Sequence, residues 1–166
     1  MTEIEIKLRN QIRYYILFFI FALVLSGSTA FPIETQLSIA NDHISVFPGF
    51  LRNWISQVYL AVKTTNANFP YLSYGTDWLA FSHLVIAVAF FGPLRDPVKN
   101  IWVIQFGMIA CVMVLPLALI AGPIRGIPFY WRMIDCSFGI IGLIPLYLCY
   151  RKIIELERMQ TMKNVA

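Results

Sequence analysis

Four apolar stretches divide this chain, and each is long enough to cross a lipid bilayer. They run from Tyr14 to Ile33, Trp78 to Leu94, Ile101 to Ala121 and Met133 to Tyr150. They hold 20, 17, 21 and 18 residues. A bilayer core takes about 20 residues of helix, within a range of about 17 to 25. None of the four carries a Lys, Arg or Glu well inside it. The fold expected is an all-α integral membrane protein, a four-transmembrane-helix bundle forming one membrane domain over residues 1–166. Composition agrees, since 58% of residues are hydrophobic and only 13% are charged, the balance of a membrane class rather than a soluble one.

The formal charge of +4 invites a nucleic-acid or acidic partner, but its placement reads as a topology signal. With the N-terminus taken as cytoplasmic, the inner side holds nine basic residues: Lys7, Arg9, Arg13, Arg95, Lys99, Arg151, Lys152, Arg158 and Lys163. The outer side holds four: Arg52, Lys63, Arg125 and Arg132. Short inner loops carry the Lys/Arg excess. Both termini then fall in the cytoplasm, and the expected location is a bacterial inner membrane, with a cytoplasmic tail over residues 151–166. No nucleic-acid partner is implied.

The first stretch has a competing reading. A basic start, an apolar run from Ile16 to Leu25 and then Ser28-Thr29-Ala30 resemble a secretory signal peptide. Glu3 and Glu5 in the leader, and the continuation through Phe31-Pro32-Ile33, favour retention as a membrane helix.

Residues 34–77 form the longest polar segment, placed outside. Within it Phe47, Phe50, Leu51, Trp54, Ile55, Val58, Tyr59 and Val62 recur at three- and four-residue spacing, one apolar helical face. Arg52, Asn53, Ser56, Gln57 and Lys63 fill the other face, and Pro48-Gly49 suits the start. An amphipathic helix lying along the outer interface is expected, with Trp54 and Tyr59 at headgroup level. A lid packed on the spans has the same periodicity. Thr64 to Pro70 reads as a helix break. Asp96 is expected to cap the third span with Pro97 at its first position. Pro116 and Pro145 interrupt the backbone bonding of spans three and four. Gly107, Gly139 and Gly142 offer flat faces for close helix approach.

An ionisable group inside a span costs about 2.5 to 3.5 kcal/mol at the bilayer centre, so each needs a reason. Asp77, His83 and Asp135 are the three. His83 is about 8 Å deep at 1.5 Å per residue, and Asp135 enters from the same side to a similar depth. Arg132 precedes Asp135 by three residues and faces the same way. Trp131 would rim the site. The functional reading is a His–carboxylate–Arg pocket opening outward, suited to binding a polar headgroup or to proton transfer. The structural readings are a helix cap at Asp77, an interfacial Arg132–Asp135 ion pair, and a Ser82–His83 interhelical pair. Cys111, Cys136 and Cys149 form no CxxC motif and read as packing residues. His43 and His83 have no ligand spacing, and neither a metal nor another cofactor is implied.

The layout of four spans, cytoplasmic termini and a long first outer loop is similar to that of the emopamil-binding-like sterol isomerase group. The resemblance covers layout and carries no residues over. Three functions stay open. The first is binding of a small amphiphilic ligand or lipid at His83, Asp135, Arg132, Asp77 and Trp131, with His83 and Asp135 the candidates if the protein is an enzyme. The second is a non-catalytic subunit or assembly factor of a larger membrane complex. The third is an oligomeric transporter.

Overall fold

The computed structural model describes residues 3–165, with side chains for residues 3–163. Among them the chain is nearly all helix and holds no strand. The order is α1 (Glu3–Ala30), α2 (Ile33–Asp42), a short 3-10 turn, α3 (Gly49–Asn68), α4 (Pro70–Ala89), α5 (Phe91–Arg95), α6 (Ile101–Pro116), a π-helical turn (Leu117–Ala121), α7 (Gly122–Ile124) and α8 (Phe129–Val165). Four segments are long and apolar enough to cross a membrane: Glu3–Ala30, Pro70–Arg95, Ile101–Ile124 and Phe129–Lys163. Helix is what a chain adopts there, because lipid offers no partner to a free backbone N–H or C=O. Only 17% to 22% of their apolar windows is buried. Phe21, Leu79, Leu117, Phe138 and Ile141 are each more than 60% exposed. Water would not tolerate so wide an apolar surface, and acyl chains do. These four candidate spans, by length, apolarity and exposure, suggest membrane integration.

Two compact units divide the residues. One holds those up to Ala22 and those from Ala87 onward, and the other is Leu23–Ile86.

In the first unit, α8 runs antiparallel to both α6 and α1. Lipid-embedded helices gain little from the hydrophobic effect and associate through close packing. Small residues supply it. A Cβ placed on Gly139 would stand 2.5 Å from the Cys111 carbonyl oxygen, so the two backbones are in contact. One placed on Gly107 would meet Phe90 at 3.0 Å and Leu146 at 3.1 Å, and one on Gly142 would meet Cys111 Sγ at 3.1 Å. On α1, Leu8, Ile12 and Ile16 repeat every fourth residue and form one buried stripe. Cys149 Sγ lies 3.9 Å from the Ile12 carbonyl, and the Phe19 and Phe90 rings are 4.8 Å apart. At the far end Lys163 Nζ donates to Glu5 Oε2 at 3.1 Å, and Glu5 is buried. The three free cysteines are buried or half-buried.

Proline and glycine punctuate this unit. Pro116 has no N–H for the Val112 carbonyl, and the chain widens after it into the π turn. α8 continues through Pro145. After α7, Gly126 takes a φ of 69°. Ile127 N then donates to Gly122 O and Gly126 N to Pro123 O, the Schellman closure that a left-handed glycine permits. Between α5 and α6 the expected cap is displaced. Asp96 Oδ1 accepts from Lys99 N at 3.2 Å, capping a turn rather than a helix, and α6 starts only at Ile101. Asn100 ties that turn down by donating to the Gly92 and Asp96 carbonyls.

In the second unit α1 and α4 cross closely. A Cβ on Gly27 would lie 2.7 Å from the Ala80 carbonyl, and Ala80 is fully buried. α2 and α3 form an antiparallel hairpin, joined by Ser38 to Tyr59 and by Ser56 to Asn41. α3 begins at Gly49, as the Pro48-Gly49 pair implied. The break expected over Thr64 to Pro70 shrinks to one residue. α3 continues to Asn68, only Phe69 leaves the helix, and Pro70 opens α4. Proline restricts the residue before it and needs no donor at a helix start. α4 therefore begins eight residues before Trp78. The first apolar stretch also ends sooner than its composition implies, because α1 stops at Ala30 and Ile33 opens α2.

Two predictions follow from this packing. Gly139→Ala forces a methyl into the Cys111 backbone and should cost about 1 to 3 kcal/mol. Gly75→Ala, with nothing within 4 Å, should be neutral or stabilising by up to about 1 kcal/mol. Melting temperatures in detergent test the pair, and equal shifts would refute the close α6–α8 approach. At the chain ends, the Lys163 ammonium donating to Glu5 holds its carboxyl below the ordinary 4.5, with Arg9 assisting and burial opposing. A lowered carboxyl contributes stability above about pH 4.5 that disappears as pH falls through its folded value. Wild type should lose more thermal stability on acidification to about pH 3 than Lys163→Gln, and coincident profiles would remove the pair from the account.

Candidate functional site

The sequence nominated five residues, and they fall on two helices. Asp77 lies within α4, seven residues after its first, and is half-buried. The expected cap at Asp77 is therefore wrong: the helix starts at Pro70, so the local amides already have partners. His83 is one and a half turns further along α4. Its Cβ would stand 3.1 Å from a Cβ on Gly27. Its ring Nδ1 lies 2.8 Å from the Leu79 carbonyl. A carbonyl only accepts, so Nδ1 is the donor in this contact. Ser82 likewise donates to its own helix, at Trp78 O, rather than to His83. Asp77 and His83 belong to the second unit.

Trp131, Arg132 and Asp135 occupy the first two turns of α8, in the first unit. Local geometry sets this end. Pro128 accepts from the amides of Trp131 and Arg132, opening the helix. The Schellman closure brings Gly122 beneath it. A Cβ on Gly122 would fall 2.6 Å from Arg132 Cδ, so the arginine stem lies across the bare glycine. The Arg132 guanidinium carbon is 5.3 Å from the Phe129 ring centre, within cation–π range.

This placement leaves two polar groups without partners. Arg132 Nε is buried and makes no hydrogen bond. Asp135 is half-buried and has no ion pair or hydrogen bond among the described residues. The two stand three residues apart on one helix, a spacing that usually allows pairing. Arg132 instead follows Gly122 and Phe129. A guanidinium and a carboxylate thus stand three residues apart on α8 with no ion pair between them among the described residues.

A polar connection that sequence reasoning missed lies in the second unit. Asn66 Nδ2 donates to Glu34 Oε2 at 2.5 Å, and Ser73 Oγ donates to Asn66 Oδ1. It links the starts of α2 and α4 to the end of α3. The signal was present in the polar run Thr64-Thr65-Asn66-Ala67-Asn68, which resembles a loop by composition alone. No group of three or more His, Cys, Asp or Glu gathers among the described residues in a way that could hold a metal ion.

No protein-family model, curated protein or solved structure matches the chain. Asn66→Ala should lower the stability of the Leu23–Ile86 unit by about 1 to 3 kcal/mol by stranding the Glu34 carboxylate. Hydrogen exchange on α2 and α3 reads this directly, and unchanged protection there would show the connection to be dispensable.

Proposed function

We propose that this chain is a multi-pass membrane protein that binds a small amphiphile or lipid at the start of α8, through Arg132 and Asp135. The observation that carries the reading is a buried Arg132 Nε with no hydrogen-bond acceptor, three residues from an Asp135 carboxylate with no ion pair among the described residues. A buried donor without an acceptor costs about 1 to 3 kcal/mol, and an ionisable group in a membrane helix is a functional site by default. A headgroup bearing both an ammonium and a phosphate would meet both needs at once. Trp131 and Phe129 beside it suit the headgroup level.

The orientation proposed has both termini in the cytoplasm of a bacterial inner membrane, with the Arg132 end outside. Nine of the thirteen basic residues then lie inside. The Lys163–Glu5 bond supports termini on one side, since it joins the two ends of α1 and α8. Retention of α1 rather than its cleavage is supported by the burial of Leu8, Ile12 and Ile16. α3 would rest along the outer interface, with Phe50 of its apolar face exposed to it. The alternative, a non-catalytic subunit of a larger complex, rests on small size, glycine-bearing helix faces and the lack of a catalytic motif, and the glycine faces support it least. Gly107, Gly139 and Gly142 are occupied by neighbours of their own unit.

The test uses purified full-length protein in neutral detergent with added phosphatidylethanolamine. Ligand at 100 times its dissociation constant stabilises by about 2.7 kcal/mol, so wild type should melt several degrees higher. Asp135→Asn and Arg132→Gln should remain folded and lose most of that shift. Full stabilisation of both variants would overturn the proposal.

A further inference from the structure

A second concave site lies at the opposite end of the first unit, where α1 faces the turn after α5. It is a cleft of about 260 Å³. Its polar lining is Arg9, Asn10 and Arg13 from α1 and Arg95 from the end of α5, with no carboxylate among its lining residues. Ile12, Ile16, Pro93 and Leu94 form its apolar side. Three arginines thus line one cleft where the apolar stretches of α1 and α4–α5 end. Arg13 immediately precedes Tyr14, and Arg95 immediately follows Leu94.

The charges there are poorly compensated. Arg9 reaches Glu5 at 3.5 Å, but Glu5 already accepts from Lys163, and Arg9 Nε is buried with no hydrogen bond. Arg13 and Arg95 have no ion pair or hydrogen bond among the described residues. Asp96, next in sequence to Arg95, is paired with Lys99 at 3.6 Å. Like charges held together repel, and the repulsion grows near a low-dielectric surface. The turn is nonetheless held firmly: Asn100 donates to its carbonyls, and Pro93 and Pro97 are buried. The arrangement is rigid, cationic and short of an anion.

We infer that this cleft binds a phosphate group. Guanidinium forks match phosphate oxygens in geometry as well as charge, and Asn10 adds an amide donor. The site's position at the edge of the apolar helices, with one polar and one apolar wall, suits the headgroup of an anionic phospholipid. A free phosphate shares the same chemistry. The inference rests on the membrane reading of the four helices and is independent of Arg132 and Asp135.

The experiment compares full-length wild type, the double variant Arg13→Gln/Arg95→Gln, and the charge-matched control Lys152→Gln/Arg158→Gln, each in neutral detergent. Binding is followed by native mass spectrometry with phosphatidylglycerol, with phosphatidylcholine and with inorganic phosphate. Both altered arginines are exposed, and circular dichroism checks that the variants stay folded. Wild type should prefer phosphatidylglycerol over phosphatidylcholine. The cleft variant should bind phosphatidylglycerol about tenfold more weakly, while the control stays within about twofold of wild type. Binding of inorganic phosphate that the cleft variant alone loses, without a phosphatidylglycerol preference, would support the cleft and assign it a soluble ligand. Equal losses in both variants would reduce the effect to general surface charge and overturn the site. So would a cleft variant that binds lipid and phosphate as wild type does. Because Arg132 and Asp135 are untouched, failure here leaves the α8 site standing, and the reverse holds.

Discussion

The first unit depends on how closely α8 can approach its neighbours. Where the surroundings are as apolar as the side chains, two helices have no solvent-driven reason to meet, and contact energy grows only as their surfaces come together. Gly139 against the Cys111 carbonyl brings two backbones into direct contact. Leu146, Cys149, Ile153 and Leu156 then fall into buried positions along the rest of α8. The same helix serves α1 on another face. Large residues on the remaining faces, such as Phe138 and Ile141, stay exposed and provide the outer surface.

Polar groups are treated in two ways. Some are tied off: Glu34 to Asn66, Asn66 to Ser73, Glu5 to Lys163. Others are left open in a manner that the local fold imposes. Arg132 could have reached Asp135 one turn away. A bare glycine beneath its stem and an aromatic ring near its head hold it elsewhere. At the other end of the same unit, Arg13 and Arg95 are brought to one cleft with no carboxylate in its lining. Both proposed binding sites share this logic, in which a folded framework holds charges apart from the partners they would otherwise choose.

Much of the framework could be read from residue order. Length and apolarity located the four long helices, and Pro48-Gly49 marked the start of α3 within a residue. Gly107, Gly139 and Gly142 read as flat faces for close approach, and all three lie in the α6–α8 contact, although the sequence did not say which helices would meet there. Misreadings cluster where local composition competes with tertiary ties. Thr64 to Asn68 has poor helix formers and resembles a loop, yet Asn66 is bonded to Glu34 thirty-two residues earlier and the helix persists. Asp77 resembles a cap because the apolar run starts after it, whereas Pro70 sets the true start. At the candidate site the residues were identifiable as charges in apolar surroundings. Their lack of pairing was not, because it depends on Phe129 one turn away and on Gly122, which meets Arg132 only after the turn at Gly126 has folded.

The antiparallel seating of α1 against α8 also has a temporal side. α8 leaves the ribosome after α1 and α6, yet it is the element on which both pack. The Leu23–Ile86 unit is continuous in sequence and can gather its contacts while the rest is still being made. The other unit has to keep α1 waiting through more than a hundred residues of synthesis. Ile12 and Ile16 spend that interval without Cys149 and its neighbours beside them. Within that unit α1 gains its buried neighbours on α8 only once α8 has been made, and a chain interrupted before α8 would leave α1 without them.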